Sequence, residues 1–129
     1  MYKNLFKIRV FYEDADSGGV VYHANYLKFL ERARTNLLLD SGLTHTYMRE
    51  KLNIITVVKS CNIDFIKSAK LDDELVVSTD VLKKSLIQIF LNQHISCKDN
   101  LLEDAKVRIV IVNLKGKIAR MPSRLFDIF

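Results

Sequence analysis

The stretch from Glu13 to Gly42, EDADSGGVVYHANYLKFLERARTNLLLDSG, limits the fold more than any other, because an acidic, glycine-containing loop feeds directly into the only long amphipathic helix. Tyr26, Leu30, Ala33 and Leu37 follow the i, i+4, i+7, i+11 spacing of one helical face, flanked by Leu27 and Leu38. Lys28, Glu31, Arg32 and Thr35 supply the solvated face. Asn25 is the expected N-cap, and Gly42 sits where a left-handed C′ residue belongs. Four to five turns, or roughly 25 Å, would cross a whole domain of this size. The helix is therefore expected to be the element that the rest of the chain wraps. Its entry loop brings Asp14, Asp16 and His23 to the helix N-terminus, where unpaired N–H groups and the positive end of the macrodipole stabilise a carboxylate or a developing oxyanion.

The remainder reads as strands. Phe6, Ile8 and Val10 alternate with Lys7, Arg9 and Phe11, predicting a first strand from Leu5 to Tyr12. A short second helix is expected over Leu43 to Leu52 with Thr44 as its cap. Five consecutive strands follow: Ile54 to Val58, then Cys61 to Phe65, then Leu75 to Val81, then one on which Ile87, Ile89, Leu91, Gln93 and Ile95 share a face, and finally Ala105 to Leu114. Lys70-Leu71-Asp72-Asp73, Lys98-Asp99-Asn100 and Lys115-Gly116 supply turns, and Ser123 to Phe129 is expected to form a helical turn against the sheet. One strand, one long helix and then a run of strands is an α+β layout, an antiparallel sheet curling around a central helix in a single domain covering residues 1–129. Apolar residues on parts of both strand faces predict that a second subunit covers the outer surface.

Composition removes several classes. No apolar run is long enough to span a bilayer and the N-terminal residues do not read as a signal peptide, so a cytoplasmic protein without membrane insertion is expected. The formal charge of +5 is spread among acids, with no basic stretch longer than Lys83-Lys84, which argues against nucleic acid and for a solvated surface or a small phosphate-bearing ligand. Cys61 and Cys97 lack metal-ligand or CxxC spacing and read as reduced, buried thiols. His45 and His94 read as structural, with no metal site. Glu31 and Arg34, three apart on the helix, are expected to form a structural ion pair or an intersubunit contact.

Asp16 is the leading chemical candidate. Ahead of two glycines and a helix start, its carboxylate is ionised at neutral pH and available as a base or nucleophile, unless it only orders the loop as an Asx-turn. Gly18 and Gly19 permit both a turn and the close approach of a ligand to the backbone. His23 is a candidate general base, a packing residue, or, through its backbone N–H, an oxyanion donor. Phe29, Tyr47, Met48 and Phe65 are candidates for either a pocket lining or the core. No Gly-x-Ser-x-Gly elbow or Cys/His pairing supports Ser or Cys hydrolysis.

Tyr12-Glu13-Asp14-Ala15-Asp16-Ser17-Gly18-Gly19-Val20-Val21-Tyr22-His23-Ala24-Asn25-Tyr26, followed by Glu31-Arg32-Ala33-Arg34, closely resembles the hotdog-fold acyl-CoA thioesterases of the 4-hydroxybenzoyl-CoA thioesterase type, particularly the bacterial YbgC branch associated with the Tol–Pal envelope system. Ser60-Cys61-Asn62 and Phe65 fit the same family. The resemblance implies a five- or six-stranded antiparallel sheet around the helix, and dimers or tetramers with active sites at the dimer interface. It further implies hydrolysis of acyl-CoA without a cofactor, Asp16 being catalytic and the His23 N–H polarising the thioester carbonyl. Gly18, Gly19 and Tyr22 would contact substrate, and Lys83, Lys84 and Ser85 match the region that meets the CoA phosphates. An acyl carrier protein is an implied further partner. The alternatives are a hydroxyacyl-thioester dehydratase, whose usual helix motif is absent, and a non-enzymatic acyl-thioester-binding module.

Overall fold

The computed structural model describes residues 4–129. In chain order the elements are β1 (Asn4–Arg9), a 3-10 turn (Tyr12–Asp14), α1 (Asn25–Asp40), α2 (His45–Lys51), β2 (Ile54–Phe65), β3 (Glu74–Lys84), β4 (Gln88–Cys97), β5 (Asn100–Asn113) and α3 (Ser123–Ile128). The five strands form one antiparallel sheet in the order β1-β3-β4-β5-β2, and α1 packs on its inner face.

The helix buries Tyr26, Phe29, Leu30, Ala33, Leu37 and Leu38, and all but Leu37 share one core cluster with the inward residues Ile89, Leu91, Ile95, Val107, Ile109 and Ile111. Phe29 and Leu30 are fully buried, worth roughly 1.5–3 kcal/mol each by transfer from water. Leu27, expected to flank this stripe, is instead half exposed. One polar side chain fixes the helix to the sheet: Gln93 Nε2 donates to the Leu30 carbonyl at 3.1 Å and to Thr79 Oγ1 at 3.0 Å, and Gln93 Oε1 accepts from Arg34 Nη1 at 2.9 Å. Arg34 thus bonds Gln93 and not Glu31, because the helix turns it inward, and burial lowers its pKa.

The helix stop follows from Gly42, at φ +80°. Its N–H bonds the Leu39 carbonyl at 2.9 Å while that of Leu43 bonds Leu38 at 3.0 Å, a Schellman end. Two residues on, Thr44 Oγ1 accepts the Tyr47 N–H at 2.9 Å and starts α2.

Several boundaries differ from the sequence pattern. The expected strands Ile54 to Val58 and Cys61 to Phe65 are one continuous β2, joined through an irregularity at Lys59, so five strands form and not six. The first strand ends at Arg9, since Val10 leaves the ladder to bond the 72–73 turn. The last begins at Asn100 and not Ala105, because Lys98 and Asp99, at φ +49° and +69°, make a two-residue hairpin turn straight from Cys97.

The outer sheet face is mixed, with polar pairs set among the apolar Phe90, Val110 and Val57. Lys106 bonds Asn92, His94 Nε2 lies 3.2 Å from Asp104 Oδ1, and Arg108 Nε bonds Gln88 Oε1 at 3.0 Å. Phe90 is flanked by Lys83 and Arg108 at 5.0 and 5.8 Å from its ring centre. Exposed apolar side chains on the edge strand β2 and just beyond it are Val57, Val58, Phe65 and Ile66, and a second group, Val81, Leu82, Leu86 and Ile87, lies about the β3–β4 turn. At the C-terminal end α3 buries Leu125, and Lys84 Nζ bonds the Phe126 carbonyl at 2.8 Å and the Phe129 carbonyl.

Candidate active site

The loop into α1 is organised by Asp14, which is buried, whereas Asp16 is exposed. Asp14 Oδ2 accepts the Phe11 N–H at 2.9 Å and Oδ1 accepts Asn25 Nδ2 at 3.1 Å. Asn25 is therefore the first helical residue, its side chain reaching back to the loop; Ala24 occupies the cap position without a side-chain bond. The first turn is tight, with N–H groups of Asn25, Tyr26 and Leu27 bonding carbonyls three residues back. No acceptor among the described residues meets the His23 N–H.

Asp16 sits on a small ribbon. Ala15 pairs with Val21, the Asp16 N–H bonds the Val20 carbonyl at 2.9 Å, and the Tyr22 N–H bonds the Asp14 carbonyl at 3.2 Å. Gly18 N–H donates to Asp16 Oδ1 at 2.8 Å, so the Asx-type bond is present. A Cβ at Gly18 would stand 3.3 Å from that oxygen, and Gly19 adopts φ +79°, so the turn uses both glycines. Val20 lies opposite Asp16 on this ribbon and His23 follows in the turn that starts α1, and no hydrogen bond joins Asp16 to His23 among the described residues.

Beside the α1 start opens a cleft of about 150 Å³ lined by Val21, His23, Tyr26, Phe65, Ile66, Lys67 and Ser68. The exposed His23 ring lies 4.5 Å from that of Tyr22 and 6.2 Å from that of Phe65. Tyr26 Oη accepts the Ala69 N–H at 2.8 Å, which ties the helix to the segment entering β3. A larger cleft, about 410 Å³, follows the second half of α1 past Glu31, Arg34, Thr35 and Leu38 to His45 and Val58. Phe29 and Met48 are core, while Tyr47 and Phe65 are exposed. Asp16 lines neither cleft.

Lys83, Lys84 and Ser85 are not brought to this site by one chain. The Asp16 loop bonds the segment before β3 through Val20 and Lys70, whereas the three residues lie at the far end of that eleven-residue strand, roughly 30 Å away. Lys84 is also engaged by the α3 carbonyls. Among the described residues no group of three or more His, Cys, Asp or Glu is placed to hold a metal ion, and no helix is long and apolar enough to cross a membrane.

Sequence reasoning missed Glu103. Only 1% exposed, it has no partner for either carboxyl oxygen among the described residues, and burial pushes its pKa up to about 8. The signal was strand parity: Glu103, Ala105, Val107, Ile109 and Ile111 alternate on the inward face.

Residues 10–129 match the model of the thioesterase-like superfamily. The chain belongs to that superfamily. Among its thioesterase relatives, the acyl-CoA thioesterase YbgC of Haemophilus influenzae is 42% identical over 88% of this chain and 82% of that protein. The acyl-CoA thioester hydrolase YbgC of Escherichia coli O6:H1 is 34% identical over 92% of this chain and 89% of that protein. A probable thioesterase from Bartonella henselae superposes with TM-score 0.90 at 34% identity, covering 94% of this chain and all of that one. A 4-hydroxybenzoyl CoA thioesterase mutant complexed with 4-hydroxybenzoyl CoA gives TM-score 0.89 at 20% identity over 98% and 97% of the two chains, a likeness of fold. The architecture is thus the hotdog fold, five antiparallel strands about one long helix.

Proposed function

We propose that this protein hydrolyses acyl-CoA thioesters to the free acid and CoA. The observation that carries the reading is the His23 N–H, without an acceptor among the described residues at the start of α1, beside a cleft and at the end of the ribbon that carries Asp16. A thioester oxygen placed on that N–H gains a donor and the positive end of the helix, which together stabilise the charge that develops on attack. Asp16 supplies the carboxylate, either adding to the thioester carbon itself or taking the proton of a water molecule that does. Gly18 and Gly19 leave the loop backbone bare toward the ligand, and Tyr22 flanks the donor. One such donor contributes about 10²–10³-fold and a base about 10²–10⁴-fold, enough for an already activated ester.

The reading includes a dimer. Edge strand β2 has one unpaired side along twelve residues and exposes Val57 and Val58, which a second copy would pair and cover. Asp16 stands outside the clefts of one chain, in keeping with a site completed across that interface. Any contact of Lys83 and Ser85 with CoA phosphates would come from another copy. An acyl carrier protein presents the same class of thioester and is a proposed alternative donor of the acyl group. The free cysteines Cys61 and Cys97 fit a reducing cytoplasm.

The test is Asp16→Asn beside His23→Ala, assayed by thiol release from acyl-CoA. Asp16→Asn should lower kcat by about two to four orders of magnitude with Tm nearly unchanged, and His23→Ala, which keeps the N–H, should lower it modestly. A near wild-type kcat for Asp16→Asn would refute the assignment.

A further inference from the structure

A buried acid without a partner among the described residues stands on the inner face, and hydrolysis as described leaves it unused. Buried carboxyl groups are ordinarily bonded, yet both oxygens of Glu103 lack a partner among the described residues. Its position is set by the backbone. The β4–β5 register shifts between Ile95 and Ser96, so that Leu102 and Glu103 are both buried in succession, and irregularities of this kind re-aim a side chain. The Leu102 carbonyl accepts the N–H groups of Ile66 and Lys67 at 2.8 and 3.1 Å, which holds the distortion in place.

Glu103 is then the register partner of Phe65 on one side and Ile95 on the other. Side chains so paired on one face have Cβ atoms about 5 Å apart. Phe65 and Tyr26 wall the cleft beside His23, with ring centres 5.8 Å apart, so the carboxyl lies behind that wall. Phe65 is 53% exposed, the least packed part of this wall.

We propose that Glu103 determines acyl specificity: with the Phe65 ring turned aside, the Glu103 carboxyl is reached from the cleft beside the α1 start and selects acyl groups with a hydroxyl or oxo group a few bonds from the thioester carbonyl over plain alkyl chains. This rests on the thioesterase reading above. At neutral pH the buried group is the acid, which donates one hydrogen bond and accepts others. An acyl hydroxyl satisfies that pattern, whereas an alkyl chain in the same place leaves it unmet, and sites built on a buried polar group reject analogues lacking its partner.

The test compares kcat/KM for matched 3-hydroxyacyl-CoA and acyl-CoA pairs of short, medium and long chain, by thiol release, in wild type, Glu103→Gln and Glu103→Leu. The hydroxyacyl preference should be about tenfold or more in wild type, intermediate in Glu103→Gln and near unity in Glu103→Leu. A wild type without preference, or a ratio unchanged in Glu103→Leu, overturns the assignment and leaves the thioesterase reading standing. No thiol release from any pair overturns both. Should the variants not fold, the wild-type ratio alone decides.

Discussion

Replacing Glu103 by Gln turns the buried acid into a probe of pH-dependent stability. Its pKa lies near 8 in the folded chain, from an ordinary 4.5, because burial disfavours the charged form. Below pH 4.5 folded and unfolded chains are both protonated and no penalty exists. Between 4.5 and about 8 the unfolded chain releases the proton while the folded chain keeps it, so stability falls as pH rises, by about 1.4 kcal/mol per unit. Above 8 both are ionised and the loss is constant. At pH 7 the accumulated loss is about 3 kcal/mol, roughly 10 °C in Tm for a chain of this size. The groups that feel this carboxyl are Tyr26 from α1 and Cys61 from β2, with Arg34 beyond the thiol. All three are present in both proteins, so their titration cancels in the difference between them. The glutamine amide is also buried without a designed partner, which offsets every pH point equally and leaves the slope to the carboxyl. Thermal unfolding of both proteins at equal concentration, from pH 5 to 9, should show the Tm difference shifting in favour of Glu103→Gln up to about pH 8 and then levelling. Parallel curves would refute the reasoning, as would a wild type that gains on the variant with rising pH.

Two other substitutions separate loop order from chemistry and test assembly. Asp14→Ala removes the acceptor of the Phe11 N–H and of Asn25 Nδ2, so it should lower stability by about 2–3 kcal/mol in denaturant unfolding and reduce activity through the disordered loop; an unchanged midpoint would show that the loop holds without it. Val58→Lys, on the open edge of β2, should convert dimer to monomer in sedimentation at micromolar concentration and abolish hydrolysis with it. A monomeric wild type, or an active monomeric variant, would remove the interface from the site.

Much of the architecture was legible because it rests on local signals. The helix stripe, the left-handed residue at Gly42, the cap at Thr44 and the turn at Lys98-Asp99 each follow from residue chemistry within a few positions. What was not legible depends on distant partners. Asn25 looked like a cap because its type favours one, yet the Asp14 carboxylate eleven residues earlier claims its amide. Arg34 looked like a partner of Glu31, but Gln93 meets it from β4. Asp14 and Asp16 are equivalent by composition, and only burial separates the carboxylate that orders the loop from the one left open. Glu103 was readable by parity, but its lack of a partner is a property of the assembled core.

The irregularity at Lys59 has a consequence for how this chain tolerates change in length. Before it, Thr56 and Val58 pair with the inward residues Ile111 and Ile109 of β5; after it, Cys61, Ile63 and Phe65 pair with Val107, Ala105 and Glu103. The extra residue is what moves the inward set from even to odd numbers. A substitution at the exposed Lys59 changes one solvent contact, and deleting that single residue would leave Val58 opposite Ile109 and Ser60 opposite Arg108 as neighbours in a regular ladder, with Cys61, Ile63 and Phe65 still facing inward. At this position β2 can lose one residue without a compensating change in β5, because the extra residue has no register partner there, whereas gaining one would put the side chains that follow on the wrong face.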